Sequence, residues 1–218
     1  MTPEKPVIIA VDGPAASGKG TLARRIAAHF NYAYLDTGSL YRALAYDVLR
    51  RGEAPADASA GLRAAKALDL AMLDDPDILA ALRTNAVGTA ASVVAAQPDT
   101  RAAILQIQRD IADTPPDSKA GAVLDGRDIG TIVCPDAAHK IFVTARAAIR
   151  AERRWLELRQ HDPLVSLEDV LADLKARDQR DSARTTAPMR AAQDAHLLDT
   201  SDLSIEEAFA AALALVSY

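Results

Sequence analysis

A short apolar run at residues 7–11 leads directly into a glycine-bounded loop that ends in Lys19. The run Val-Ile-Ile-Ala-Val is typical of a buried parallel strand. After the loop, Leu22, Ile26 and Phe30 recur at four-residue steps, which predicts a helix with one apolar face. In such a strand–loop–helix unit, loop N–H groups and the positive end of the helix converge on one place. We therefore predict an α/β fold with a phosphate-binding loop after its first strand.

The loop matches most of the pattern G-x-x-x-x-G-K-[ST]. Gly13, Gly18 and Lys19 fit, but Gly20 follows the lysine and the hydroxyl residue, Thr21, comes one position later. This G-K-G-T ending resembles that of nucleoside monophosphate kinases, in which the threonine takes the hydroxyl role. Lys19 can reach between the outer phosphates of a nucleotide, and Thr21 can bind the magnesium ion. The alternative is a glycine-rich turn followed by a solvated lysine.

Five short apolar runs alternate with helical stretches, which predicts a parallel sheet covered by helices on both faces. The segment 54–96 interrupts this alternation; it is alanine-rich, helix-prone and broken by Asp-Asp-Pro at 74–76, so we predict a subdomain there. The predicted strands are residues 7–11, 33–35, 122–124, 140–143 and 196–198.

The final helix is predicted from its start signal. Ser204 and Glu207 match a capping box, a pattern that Ser166 and Asp169 repeat earlier in the chain. The apolar face of the final helix is predicted to consist of Ile205, Phe209, Leu213 and Val216.

Size and charge limit the classes of partner. The chain has 218 residues and a net charge of −5, which fits one globular domain with a modest appendage and argues against nucleic acid or a membrane surface as partner. No segment has the length of a membrane span, and the N-terminus lacks a secretion-signal pattern. The single cysteine, Cys134, lies beside apolar residues, so we predict that it is buried and has no role in chemistry. We expect a cytoplasmic monomer.

Polar residues follow three predicted strands at the point where each ends. The first strand leads to the phosphate loop, the second to Asp36 and Thr37, and the third to Asp125, Arg127 and Asp128. Ligands of open parallel sheets bind beyond the carboxyl ends of the strands. We therefore expect these residues to meet at one edge of the sheet.

Two residue types at this edge suit phosphoryl transfer, in which alignment and charge neutralisation do most of the work. Asp125 ends an apolar strand, as a Walker-B-like acid that binds magnesium does; a turn aspartate is the alternative. Arg42 and Arg127 are placed to bind an acceptor phosphate bidentately, whereas either arginine alone would more often be a solvated surface residue.

Two further groups of arginines lie late in the chain. On a helix, Arg177, Arg180, Asp181 and Arg184 share one face. The alternative is a solvated face with ion pairs one turn apart. The second group, Arg150, Arg153 and Arg154, follows the fourth strand; it is expected either to close over a donor nucleotide or to lie along Trp155.

These segments occur in the same order in bacterial cytidylate kinases, which the chain resembles over most of its length. The resemblance rests on residues 13–21, Leu-Asp-Thr-Gly at 35–38 with Tyr41 and Arg42, Asp-Gly-Arg-Asp-Ile-Gly-Thr at 125–131, and residues 177–184. The string at 125–131 is the most specific of these. The resemblance implies transfer of a phosphate from ATP, with Mg²⁺, to CMP or dCMP. It also implies a three-layer P-loop kinase fold over residues 1–218, with a five-stranded parallel sheet, an acceptor-binding insert at 54–96 and a lid with its adjoining helix at about 150–185.

The resemblance also implies roles for individual residues. ATP binding is expected at Gly13, Pro14, Ala15, Ala16, Ser17, Gly18, Lys19, Gly20, Thr21, Arg150 and Arg154. CMP binding is expected at Asp36, Thr37, Arg42, Ser92, Arg101, Arg127, Asp128, Arg177, Asp181 and Arg184. Catalysis is expected from Lys19, Arg127, Arg177 and Arg184, and magnesium binding from Thr21 and Asp125, directly or through water. A carboxylate and a hydroxyl suit cytosine, whose exocyclic amine donates where uracil only accepts.

The chain departs from the family pattern at two places. Relatives usually have glycine at position 16, so Ala16 will be strained if its backbone requires positive φ. The insert is shorter than that of long bacterial forms and lacks the Asn-Gly turn of a small antiparallel sheet. Another P-loop kinase, of the adenylate or shikimate type, is the nearest alternative function. A nucleotide-binding switch is a second alternative, although the Asn-Lys-x-Asp guanine-reading motif is missing.

Overall fold

A five-stranded, all-parallel sheet forms the centre of the fold. The computed structural model describes residues 5–160 and 162–216, and the strands are ordered β2-β3-β1-β4-β5. All five predicted strands are confirmed. Their bounds are β1 Val7–Asp12, β2 Ala33–Asp36, β3 Gly121–Gly126, β4 His139–Thr144 and β5 His196–Asp199.

Helices connect the strands, as the alternating pattern predicts. The α-helices are α1 Lys19–Phe30, α2 Thr37–Arg50, α3 Ala58–Lys66, α4 Pro76–Leu82, α5 Asn85–Val94, α6 Pro98–Asp113, α7 Ala147–Leu158, α8 Leu167–Ala183 and α9 Ile205–Ala214. Short 3-10 turns lie at Leu70–Asp74 and Pro116–Ser118, and a single π-helical turn lies at Ile129–Val133.

The apolar strands account for the core on one face of the sheet. Alternate residues of β1, Ile9 and Val11, point to this face, as the two-residue period of a strand requires. Helices α1 and α9 cover it with Leu22, Ile26 and Ala212. The strand β3 is buried along its whole length, which is expected for a central strand of a parallel sheet.

The chain divides into two compact units. The first comprises the described parts of 1–36 and 108–218 and contains the sheet; the second comprises residues 37–107. The second unit is helical: α2, α3, α4, α5 and most of α6 bury a core that includes Leu40, Leu44 and Ile104. The break predicted at 74–76 is present, and Asp75 caps α4 by accepting hydrogen bonds from the backbone N–H groups of its first turn.

Two details differ from the sequence predictions. Ile205 was expected on the apolar face of α9, but its side chain is 61% exposed. As the first helical residue it points toward the helix N-terminus, past the end of the helix, while Ala208 and Ala212 meet the core instead. Cys134 is half-buried rather than buried; it directly follows the π-helical turn.

The described ranges 5–160 and 162–216 contain no helix that is both long enough and apolar enough to cross a membrane.

The capping box of α9 is complete and gives a stability test. Ser204 Oγ accepts the Glu207 N–H, and the Glu207 carboxylate accepts the Ser204 N–H at 2.9 Å. Ser204→Ala should lower the free energy of unfolding by about 1 kcal/mol, because one N–H of the first turn loses its partner. Ser204→Thr keeps the cap and serves as the control. Urea denaturation measures both, and equal stability of the alanine variant and the unmutated protein would contradict the prediction.

Candidate active site

The loop between β1 and α1 has the backbone of an anion-binding loop. Gly13 and Gly18 have φ values of 146° and 87°, and Ala16 has a φ of 57°. The strain expected at Ala16 is therefore present, at a cost of about 1–2 kcal/mol for a left-handed alanine. At Gly13 a Cβ would lie 1.9 Å from the carbonyl oxygen of Val143, so only glycine fits there. Gly18 has no side chain to cap α1, which leaves the first N–H groups of that helix for a ligand.

The strained loop is held by two side chains from distant parts of the same unit. Thr200 Oγ1, just after β5, donates to the Ser17 carbonyl at 2.9 Å and accepts from Arg153 at 3.1 Å. Arg150 donates to the Ala15 carbonyl at 3.2 Å. Sequence reasoning missed Thr200, although its position after a strand at the ligand edge of the sheet was a usable signal. These bonds explain how the protein holds this strained conformation.

Lys19 and Asp125 form a buried ion pair in the first unit. Lys19 Nζ lies 3.4 Å from Asp125 Oδ1, and the two side chains are 13% and 5% exposed. Burial lowers the pKa of Lys19 to about 8, with a further lowering from Arg127; Asp125 and Asp36 oppose the shift. Burial likewise raises the pKa of Asp125, against the effect of Lys19. The pair places a cation at the start of α1, where a phosphate is expected.

The residues predicted to bind magnesium fit that ion. Asp125 Oδ2 lies 2.9 Å from where a Cβ of Gly20 would be, so the absence of a side chain at Gly20 lets the carboxylate approach the first turn of α1. Thr21, the next residue, has an exposed side chain. A carboxylate and a hydroxyl are hard oxygen ligands of the kind Mg²⁺ takes together with nucleotide phosphates. Across 5–160 and 162–216, no three His, Cys, Asp or Glu residues are grouped to hold a metal ion.

Three arginines surround one buried carboxylate. Asp181, on α8, has a side chain that is 2% exposed. Arg127 Nε lies 3.2 Å from its Oδ2 and Arg177 Nε 3.9 Å from the same atom, while Arg184 donates to Oδ1. Arg177 and Asp181 thus form an ion pair one turn apart, but on a buried carboxylate rather than on a solvated face, within a cluster whose net charge is positive. Such a cluster is suited to a phosphate group.

The other predicted arginines contact protein groups, and a different arginine lies over Trp155. Arg150 is 5% exposed and binds protein atoms on three sides: the Ala15 and Ala145 carbonyls, and Asp178 at 2.7 Å. It supports the phosphate loop from behind. Arg159, not Arg150, stacks on Trp155, with 4.4 Å from its guanidinium carbon to the ring centroid. Arg154 pairs with Glu157 at 3.0 Å.

The second unit buries three of its predicted site residues. Thr37, Ser92 and Arg101 are 4%, 2% and 7% exposed. Arg101 donates to the Ala95 carbonyl at 3.2 Å, and its guanidinium carbon lies 5.4 Å from the centroid of the Tyr41 ring. These contacts hold a buried guanidinium in one orientation, as a specific ligand site requires. Arg42 on α2 is half-buried, as is Asp36 at the end of β2 in the first unit.

Asp12 is a second residue that the sequence reasoning missed. It ends β1, is 4% exposed, and accepts the backbone N–H groups of Ile129 and Gly130 at 2.8 Å each. Burial raises its pKa to about 7, although the two N–H groups act to lower it. Asp128, also buried, directly precedes this contact.

The comparisons with known sequences agree on one family. The sequence model of the family described as "Cytidylate kinase" matches residues 9–218. The chain is 55% identical to the cytidylate kinase of Rhodospirillum rubrum over 97% of this chain and 98% of the relative. It is 57% identical to that of Azorhizobium caulinodans over 96% and 98%. A shikimate kinase structure from Bacteroides thetaiotaomicron matches 97% of the chain and 99% of its own length, with a TM-score of 0.52 and 13% identity, and so shares the fold.

The support of the phosphate loop by Thr200 can be tested. Thr200→Val keeps the shape of the side chain but removes the hydroxyl, so the Ser17 carbonyl and Arg153 lose a buried hydrogen-bond partner. We expect an affinity for ATP roughly tenfold lower, since such a loss costs about 1–3 kcal/mol. Thr200→Ser, which keeps the hydroxyl, should bind ATP within about twofold of the unmutated protein. Calorimetric titration with a non-hydrolysable ATP analogue measures both; unaltered binding by the valine variant would rule out this role.

Proposed function

The chain belongs to the cytidylate kinase family, and we propose that it transfers the γ-phosphate of ATP to CMP or dCMP, giving ADP and CDP or dCDP. The observation that supports this most directly is the set of phosphate-binding groups that the first unit contains. A strained phosphate loop, a buried lysine paired with Asp125, and three arginines around Asp181 are all present there. Transfer between two phosphate groups needs this combination of alignment and positive charge.

The donor nucleotide is proposed to bind at the loop from Gly13 to Thr21. Loop N–H groups and the N-terminus of α1 would meet the phosphates, and Lys19 would move from its pair with Asp125 toward the outer phosphates. Arg150 and Arg154 belong to the donor side in this proposal. For Arg150 the contact with the Ala15 carbonyl supports an indirect role, in which it holds the loop that binds ATP.

The reacting groups need charge neutralisation more than proton transfer. A phosphate monoester loses its second proton near pH 6, so the attacking oxygen of CMP is already ionised at neutral pH. Three anionic centres then approach one another, and Lys19, Arg127, Arg177 and Arg184 are proposed to neutralise them. Asp181 compensates the arginines in the free protein, and we propose that it accepts hydrogen bonds from the ribose hydroxyls when CMP is bound.

Magnesium is proposed to enter with ATP. Thr21 and Asp125 would hold the ion, directly or through water, and it would supply positive charge to the outer phosphates when bound.

The remaining acceptor residues are proposed from the family resemblance, and the burial of Thr37, Ser92, Arg101 and Asp128 supports it. Asp128 would accept the exocyclic amine of cytosine. The other residues proposed to bind CMP are Asp36, Thr37, Arg42, Ser92 and Arg101. Buried polar side chains held by neighbouring groups, as Arg101 is, reject a ligand that fails to pair with them.

We also propose that the protein acts as a cytoplasmic monomer. Light scattering coupled to size-exclusion chromatography measures the mass directly, and twice the 23.1 kDa mass of one chain would contradict this.

A coupled assay of ADP release separates the candidate functions. The acceptors to compare are CMP, dCMP, UMP, AMP and shikimate, each with ATP and Mg²⁺. The proposal predicts the highest kcat/KM with CMP or dCMP, and almost complete loss of turnover in Lys19→Ala with the fold retained. The highest kcat/KM with AMP or shikimate would overturn the assignment of the acceptor, and no acceptor-dependent ADP release would overturn catalysis.

Reading of the base by Asp128 is testable by a single substitution. Asp128→Asn replaces an acceptor-only carboxylate with an amide that can turn its carbonyl toward cytosine or its NH₂ toward uracil. The ratio of kcat/KM for CMP to that for UMP should fall by roughly 5- to 100-fold, since one base contact is worth about 1–3 kcal/mol. Asp136→Asn alters an exposed aspartate nearby in the chain and should leave the ratio unchanged. The same CMP/UMP ratio in Asp128→Asn and Asp136→Asn would show that residues other than Asp128 recognise the base.

A further inference from the structure

Asp12 contacts a segment far from it in sequence and directly beside proposed acceptor residues. It is the last residue of β1 and directly precedes the first residue of the phosphate loop, Gly13. Its two carboxylate oxygens accept one backbone N–H each, from Ile129 and Gly130. These contacts span 117 and 118 residues of sequence. One side chain therefore ties the start of the donor loop to the segment that follows β3.

The segment at Ile129–Val133 needs such a partner. It is a single π-helical turn, and the first N–H groups of a helical turn have no partners within it. Ile129 and Gly130 are buried, so water cannot accept these hydrogen bonds and a protein group has to. At the far end of the same turn, Arg109 donates to the Ile132 and Val133 carbonyls at 2.9 and 3.0 Å. The turn is thus held at both ends, by an anion at its start and by a cation at its end.

The contact at the start of the turn sets the geometry of the acceptor residues. The N–H of Ile129 belongs to the peptide group that joins Asp128 to Ile129. Because a peptide group is planar, a hydrogen bond to this N–H orients the plane and limits where the Cα of Asp128 can lie. Arg127, one residue earlier, reaches the Asp181 carboxylate. A shift of the plane would move the proposed base-reading carboxylate and a phosphate-binding guanidinium together.

The site is a costly place for a carboxylate. Asp12 is buried, and the carboxylates of Asp125 and Asp128 both act to raise its pKa, which is about 7. The two backbone N–H groups offset this by stabilising the ionised form. An ionised carboxylate is the stronger acceptor on both oxygens, which suits the two N–H groups.

We propose that Asp12 is a positioning residue for acceptor selection: by binding the N–H groups of Ile129 and Gly130, it fixes the backbone of Arg127 and Asp128 relative to the start of the phosphate loop. The inference rests on the proposed function, because it takes Arg127 and Asp128 as acceptor ligands. Alignment of donor and acceptor supplies much of the rate of phosphoryl transfer. A change in this spacing is therefore expected to lower kcat and to weaken the binding of the acceptor.

The matched variants are Asp12→Asn and Arg109→Gln. Asp12→Asn keeps the size of the side chain but points an NH₂ group at one backbone N–H. Arg109→Gln weakens the other end of the same turn and is not a proposed site residue. We expect Asp12→Asn to raise KM for CMP at least tenfold, to lower kcat, and to lower the CMP/UMP ratio of kcat/KM, with KM for ATP within about twofold. Arg109→Gln should leave all four quantities within about twofold of the unmutated protein, even if its melting temperature falls as much as that of Asp12→Asn.

Three kinetic outcomes would overturn the proposal. These are an unaltered KM for CMP and an unaltered CMP/UMP ratio in Asp12→Asn, an equal rise of KM for ATP, or the same losses in Arg109→Gln. Turnover of CMP by the unmutated protein is measured first in the same assay. Its absence would count against the proposed function itself, whereas normal turnover followed by any of the three outcomes would count against Asp12 alone.

A measurement on the unmutated protein covers the case in which Asp12→Asn does not fold. Hydrogen exchange, followed by NMR, reports the Ile129 and Gly130 amides. The proposal predicts that both are protected in the free protein and that CMP slows their exchange further, whereas the ATP analogue alone has little effect. Exchange as fast as that of exposed amides, or slowing by the ATP analogue but not by CMP, would overturn it.

Discussion

The buried ion pair between Lys19 and Asp125 is the interaction on which the proposed chemistry depends. Holding a lysine at the end of a phosphate loop requires its removal from water, and burial lowers its pKa to about 8. Asp125, brought alongside by the pairing of β1 with β3, keeps the charge in place until a phosphate arrives. The same carboxylate lies near Gly20, at the place where we propose that magnesium binds. One pair thus links the fold, the resting state of the site and the binding of the donor.

The site is built from backbone held by distant side chains. The phosphate loop contains a left-handed alanine, and Thr200 and Arg150 bind its carbonyls. The segment carrying Arg127 and Asp128 is held by Asp12 in the same way. In both places a buried polar side chain satisfies backbone groups that no secondary structure satisfies, which is the general condition for a strained or irregular segment to persist in a protein interior.

Local pattern was enough to predict the sheet and the loop, and family resemblance supplied the acceptor. Apolar runs predicted all five strands because a parallel sheet buries both of its faces. Strain at Ala16 was expected only on the condition of a positive φ, from the glycine that relatives usually have there, and the structure shows that φ. Thr200 and Asp12 were missed because their partners lie 183 and 117 residues away, and no local periodicity records such pairs. Arg150 was expected over a donor nucleotide or along Trp155; its partners, the Ala15 and Ala145 carbonyls and Asp178, come from tertiary packing that no local pattern records.

The most direct test of the central claim counts the protons that accompany nucleotide binding. At pH 8 about half of the free molecules should carry a neutral Lys19, because its pKa is about 8, and a bound triphosphate should restore the proton. Calorimetric titration with a magnesium complex of a non-hydrolysable ATP analogue, repeated in buffers of different ionisation enthalpy, measures this uptake. The account predicts about half a proton more for the unmutated protein than for Lys19→Arg at pH 8, and no difference at pH 6.5. Equal uptake by the two proteins at pH 8 would contradict it.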